Sequence, residues 1–200
     1  MNIVKQAIIV FVRKPELGKV KTRLAKTIGS EAALKVYTNL LIHTKGAIVN
    51  LPCDKFIFYT DAVDENDIWE NTIFNKRSQI GNNLGERMSH AFNLLFDKGY
   101  SKVIIVGSDC PGLNQQIIEQ SFNALQEHDV VLGPTYDGGY FLLGLKFFIK
   151  NIFENINWST PQVFSQTIKA IDTSKKTIYL LDTLSDIDTE ADLLPYPHLT

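Results

Sequence analysis

The sequence predicts an α/β protein with a mainly parallel sheet, and three observations carry that prediction. Short apolar runs rich in β-branched residues recur at 7–12, 103–106 and 130–132, the pattern of strands buried on both faces. Stretches with helical apolar spacing separate them. Charged and glycine-containing segments follow directly on the strands, where an open α/β sheet places its ligands.

The 200 residues suffice for one domain, expected over 1–200, with a full core. A net charge of −2 makes no case for nucleic acid or an anionic membrane as partner. Cys53 and Cys110 stand far apart without metal-ligand or redox spacing, as free thiols of a reducing compartment do. No apolar run is long enough for a membrane span or a secretion signal, so a cytoplasmic location is expected.

Ala7–Val12 is the first strand. It runs into Arg13-Lys14-Pro15-Glu16-Leu17-Gly18-Lys19-Val20-Lys21-Thr22-Arg23-Leu24, five cations in twelve residues, read as a loop able to wrap an anion such as polyphosphate. Neither a Walker loop nor a dinucleotide fingerprint is present. Ser30 is positioned to cap a helix reaching about Val49, with Ala33, Val36, Tyr37, Leu40 and Leu41 on one face. A second strand covers Lys55–Thr60. Asp61 after it reads as the cap of an acidic helix start. Ile73-Phe74 reads as a short edge strand in the least legible stretch, 66–82.

The segment Gln79-Ile80-Gly81-Asn82-Asn83-Leu84-Gly85-Glu86-Arg87-Met88 enters a helix with apolar positions Leu84, Met88, Ala91, Leu94 and Leu95. Its amides, Gln79 and Asn83 among them, suit a nucleobase edge, and equally a helix cap and a turn. His43 and His90 lack ligand-like partners and read as packing or surface residues.

Val103–Val106 is the central strand, ended by Gly107-Ser108-Asp109-Cys110-Pro111. Asp109 is thereby delivered to the ligand edge as a magnesium ligand, or serves the next helix, about 114–127, as a cap. After the strand at 130–133, Asp137-Gly138-Gly139-Tyr140 allows close backbone approach to a ligand, or simply a tight turn. A strand follows it. Trp158-Ser159-Thr160-Pro161 reads as a helix opening with proline in the first turn. A last strand at 177–181 precedes an acidic stretch in which Asp186 and Asp188 lie on one side of an extended chain. Thr189 and Asp192 have capping-box spacing.

Taken together, Phe11-x-Arg13-x-Pro15-x-x-Gly18-x-x-Lys21-Thr22-Arg23-Leu24, Gly107-Ser108-Asp109-Cys110-Pro111, Gly133-Pro134-x-x-Asp137-Gly138-Gly139-Tyr140 and Asp186-Ile187-Asp188-Thr189 resemble an uncharacterised bacterial family of GT-A-type glycosyltransferases. That family lies in the nucleotide-diphospho-sugar transferase superfamily, with the molybdopterin and phospholactate guanylyltransferases. The resemblance implies a Rossmann-like mixed sheet with helices on both faces and a nucleotide site needing Mg2+ or Mn2+. It assigns Arg13, Gly18, Lys21 and Arg23 to the phosphates, with Lys21 neutralising leaving-group charge, and Gln79 and Asn83 to the nucleotide. Asp109 and Asp188 fall to the metal, with Asp186 as the alternative. Asp137, a candidate base, and Gly138, Gly139 and Tyr140 fall to the acceptor side. Relatives carry an acid where this chain has Asn83. The expected activity is metal-dependent glycosyl transfer from a nucleotide-sugar to a small acceptor. Its alternative is nucleotidyl transfer from a nucleoside triphosphate with pyrophosphate release.

Overall fold

A computed structural model describes residues 5–200. Its strands are β1 (Gln6–Val12), β2 (Asp54–Tyr59), β3 (Phe74–Ser78), β4 (Lys102–Val106), β5 (Val130–Pro134), β6 (Tyr140–Leu145) and β7 (Ile178–Leu180). They form one sheet in the order β3-β2-β1-β4-β6-β5-β7. All neighbours are parallel except β6, antiparallel to both β4 and β5, so the mixed, mainly parallel sheet is present as expected.

The helices are α1 (Thr22–Ile28), α2 (Ser30–Ile48), α3 (Leu84–Asp97), α4 (Gln115–Glu127), α5 (Val163–Thr173) and α6 (Glu190–Leu193). The alternation of side chains along β1 sorts two cores. Ile8, Val10 and Val12 pack with Tyr37 and Leu41 of α2 and Ile118, Phe122 and Leu125 of α4. Ala7 and Ile9 pack with Met88, Ala91, Phe92 and Leu95 of α3 and Ile171 of α5. A third cluster, Leu24, Ala33, Val36, Leu40, Ile187 and Leu193, ties α1 and α2 to the C-terminal acidic stretch. That cluster matters for function, because it seats the basic loop against Asp186 and Asp188.

Several local expectations are corrected. Residues 22–28 of the basic stretch are helical. Helix α2 is entered through Gly29 at φ 86°, and Ser30 is its first residue and not its cap. No helix follows Asp61. Nearby Asp67 accepts hydrogen bonds from the Tyr59 hydroxyl, the Lys76 ammonium and the Trp69 amide, and holds 60–73 as an irregular loop. The edge strand is longer than read, because Phe74-Asn75-Lys76-Arg77-Ser78 is polar and its buried Lys76 is neutralised by Asp67 at 2.8 Å. In α3, Phe92 is buried and Leu84 is 42% exposed. Helix α5 begins only at Val163. Ser159 at φ 63° interrupts 158–161, and the Thr160 hydroxyl bonds Asn157 O as a turn.

Candidate active site

The carboxyl edge of the sheet opens into a cavity of about 690 Å³. The basic loop enters it from β1. Its start is pinned by α2, where the Tyr37 hydroxyl accepts from Arg13 N at 2.9 Å and donates to Arg13 O at 3.1 Å. Burial pushes the Tyr37 phenol up to about 12, so it acts as a neutral clamp. Its end is Lys21, at φ 46° the N-cap of α1. This left-handed conformation is unusual for a lysine.

Lys21 is the centre of the site. Its side chain is 5% exposed, and its ammonium lies 2.6 Å from Ile187 O, 2.8 Å from Asp109 Oδ1 and 3.6 Å from Asp188 Oδ1. One ammonium hydrogen is donated to Ile187 O, and the charge is shared by the two carboxylates as ion pairs. Asp109 follows β4, and its backbone oxygen accepts from Ile187 N at 3.0 Å, which docks the C-terminal stretch beside it. Asp188 also accepts from Arg23 at 3.1 Å. The capping box holds this arrangement from below: the Asp192 carboxylate accepts from the amides of Asp188 and Thr189 and from the Thr189 hydroxyl.

Charge in the cavity is lopsided. Asp186 is pushed up to about 7 by burial first and then by Asp109, Asp137 and Asp188 nearby, against the opposing pull of Lys21. Asp109 Oδ1 is buried with no aligned hydrogen bond; the 2.8 Å approach of Lys21 is an electrostatic contact. Asp109 and Asp188 remain 44% and 46% exposed. The acids therefore hold unused oxygen donors on the cavity side. Among the described residues no three His, Cys, Asp or Glu side chains form a ready metal cage. A pair of carboxylates completed by substrate phosphates is nonetheless how magnesium is commonly held.

The structure brings most of the expected residues to one cavity. Arg13, Lys21, Arg23, Gln79, Asn83, Asp109, Tyr140, Asp186 and Asp188 line it. Gly18 does not; at φ 75° it shapes the basic loop. Asp137 does not line it either. Its Oδ1 accepts from Thr135 Oγ1 at 2.5 Å and Gly139 N at 3.0 Å, so that oxygen organises the turn. Gly138, at φ 89°, touches the 155–161 segment, since a Cβ there would lie 2.2 Å from Pro161 O. Gly139 is less tightly enclosed, its Cβ position 3.1 Å from Thr135 Oγ1. Asn83 is the N-cap of α3, accepting from Glu86 N at 2.9 Å. Gln79 donates one amide hydrogen to Phe58 O at 2.9 Å, which orients its carboxamide at the cavity wall.

Sequence reasoning missed Tyr37, Thr60, Asn82, Arg87 and Ser108 in the lining. Tyr37 sits at an apolar-face position, and Thr60 lies within a strand run. Only Arg87, a charge beside an amide-rich loop, had a visible signal.

The fold and this edge define a nucleotide-diphospho-sugar transferase-type protein. A crystal structure of a candidate nucleotide-diphospho-sugar transferase from Desulfovibrio desulfuricans G20 is similar at 30% identity and a TM-score of 0.89, over 98% of this chain and 88% of that one. The chain belongs to the DUF2064 family, uncharacterized proteins conserved in bacteria, whose model matches residues 47–160. The 2-phospho-L-lactate guanylyltransferase of Methanocaldococcus vulcanius is 25% identical over 142 residues, 69% of this chain. The chain spans about 61% of that relative's length. Rv0371c from Mycobacterium tuberculosis H37Rv, solved with manganese, shares the fold at 11% identity and a TM-score of 0.50, covering 98% of this chain and 97% of that one. No helix among the described residues is long and apolar enough to cross a membrane.

Proposed function

We propose that the protein is a nucleotidyltransferase that couples a nucleoside triphosphate to a small phosphorylated acceptor and releases pyrophosphate. The observation that carries the reading is a single cavity with Arg13, Lys19, Lys21 and Arg23 on one side and Asp109, Asp186 and Asp188 beside them. Arg13, Lys19 and Arg23, besides the Lys21 that pairs with the acids, suit a triphosphate, and the guanylyltransferase relatives support this choice.

In the reaction, an acceptor phosphate oxygen attacks the α-phosphorus, the new P–O bond forms, and the bond to the β-phosphate bridging oxygen breaks. Arg13, Lys19 and Arg23 neutralise the charge that gathers on the departing pyrophosphate. Lys21, hydrogen-bonded to Ile187 O and ion-paired with Asp109 and Asp188, positions the two acids. The residues fit a divalent ion, Mg2+ or Mn2+, at Asp109 and Asp188 with Asp186 adjoining; once bound it would polarise the phosphate oxygens. Tyr140 and Ser159 line the side of the cavity assigned to the acceptor.

A second reading, glycosyl transfer from a nucleotide-sugar, is favoured by the Desulfovibrio desulfuricans relative. Incubation with nucleoside triphosphates, phosphorylated hydroxyacids and Mn2+ separates the two. Pyrophosphate release, lost on Asp109→Asn, is the expected result. Release of nucleoside diphosphate from a nucleotide-sugar, with no pyrophosphate under any condition, would replace it by the second reading.

A further inference from the structure

The cavity has two flanks, set by strand order. The phosphate loop and Asp109 follow β1 and β4 in the middle of the sheet. Tyr140 begins β6 on one side. On the other, beyond β2 and β3, lie Thr60, Gln79, Asn82, Asn83, Leu84 and Arg87. A triphosphate anchored in the middle directs its base to this second flank, so the flank's chemistry should select the base.

Arg87 dominates that flank. It is half-buried, and among the described residues no carboxylate pairs with it. Its Nε donates to Gly81 O at 3.0 Å, which orients the guanidinium, and its terminal nitrogens have no hydrogen-bond partner among the described residues. This buttress exists because residue 81 is glycine. Its φ is 140°, and a Cβ would lie 2.7 Å from Glu86 Cβ and 2.8 Å from Arg87 N. Three residues earlier on the same helix face, Leu84 is 42% exposed in the cavity wall, an apolar surface of the kind a flat ring would cover. Gln79 donates one amide hydrogen to Phe58 O, which orients its carboxamide and leaves its oxygen to accept.

We propose that Arg87 is the base-selecting residue and reads the O6 and N7 acceptors of guanine. Resting on the nucleotidyltransferase reading, it names that reaction's donor as GTP. Paired donors of a guanidinium match two adjacent acceptors. Adenine presents an amino donor in place of O6, and cytosine likewise offers an amino group, so both set donor against donor. The Gln79 oxygen complements guanine N1–H and its 2-amino group. Leu84 covers the ring face.

The test is equilibrium binding of GTP, 7-deaza-GTP, ATP, UTP and CTP to the full chain in Mn2+. GTP is expected to bind at least about tenfold more tightly than ATP and than 7-deaza-GTP, which lacks N7, since a bidentate contact commonly discriminates on this scale. Arg87→Ala should erase both preferences and leave ATP binding within twofold. Arg87→Lys should erase them too, because a lysine is a point charge and not a fork; a phosphate-binding role would instead be rescued by lysine. The comparison of GTP with 7-deaza-GTP needs no variant, so a misfolded variant does not shield the proposal. Equal binding of GTP and 7-deaza-GTP, or UTP binding as tightly as GTP, overturns it while leaving the nucleotidyltransferase reading in place. Absence of binding by every triphosphate overturns both.

Discussion

Replacing Lys21 by methionine removes the one ammonium that stands between Asp109, Asp188 and the carbonyl of Ile187, and leaves the helix-entry conformation at φ 46° as strained as before. The loss therefore reports charge and hydrogen bonding alone. Breaking a fully buried pair by deleting one partner costs about 3–5 kcal/mol, whereas an exposed pair is worth about 0–1 kcal/mol. Here the ammonium is buried at 5% exposure but its acids are 44% and 46% exposed. Water screens the stranded carboxylates, and the intermediate expectation is about 2 kcal/mol. For a chain of this size that is roughly a 4–8 °C fall in Tm. Thermal unfolding at neutral pH and low salt measures it. Adding Asp188→Asn to Lys21→Met removes one of the repelling acids and should recover part of the loss, a non-additivity characteristic of contacting groups. A Tm within about 1 °C of the parent, the ordinary scatter of surface substitutions, would refute the view that Lys21 holds the two acids together.

Asp186 sets a pH dependence. Its carboxyl is raised to about 7 in the folded chain by burial and by neighbouring acids, so the folded state binds the proton more tightly than the unfolded state. Its contribution is fully present below the unfolded pKa and is lost as pH rises through about 7. Asp186→Asn should flatten the fall in Tm between pH 5 and 8 in metal-free buffer, and an unchanged slope would count against the assignment. Gly138→Ala combines a φ of 89° with a Cβ 2.2 Å from a backbone oxygen; a loss of more than about 2 kcal/mol in denaturant unfolding is expected. Gly85→Ala would ordinarily strengthen a helix by about 1 kcal/mol. Its Cβ would lie 2.2 Å from Trp158 Nε1, so destabilisation and a change in Trp158 fluorescence are expected, and a stabilised variant with unchanged fluorescence would contradict the packing described.

The sheet was legible because its information is local. Runs such as Val103–Val106 are apolar at every position, and only a strand covered on both faces makes use of that pattern. The capping box at Thr189 and Asp192, the helix at about 114–127 and the placement of Asp109 just beyond a strand are likewise short-range facts. The polar edge strand β3 was not legible, since Lys76 becomes a buried residue only when Asp67 folds back across it. Tyr37 illustrates the same limit at the site. It lies 24 positions from Arg13 and meets it only because α2 packs against the sheet.

What the amino-acid sequence determined by itself was the class of fold, the cationic stretch after β1 and the acids at strand ends, because hydrophobic periodicity and strand termini are written within a few residues. What only the tertiary structure decided was how those charges are used. Lys21 is spent on Asp109 and Asp188, 88 and 167 residues further along the chain. One oxygen of Asp137 is held within its own turn, and Asn83 caps a helix. Each is a competition between partners for one polar atom, and its winner is set by distances of a few ångströms between segments remote in sequence.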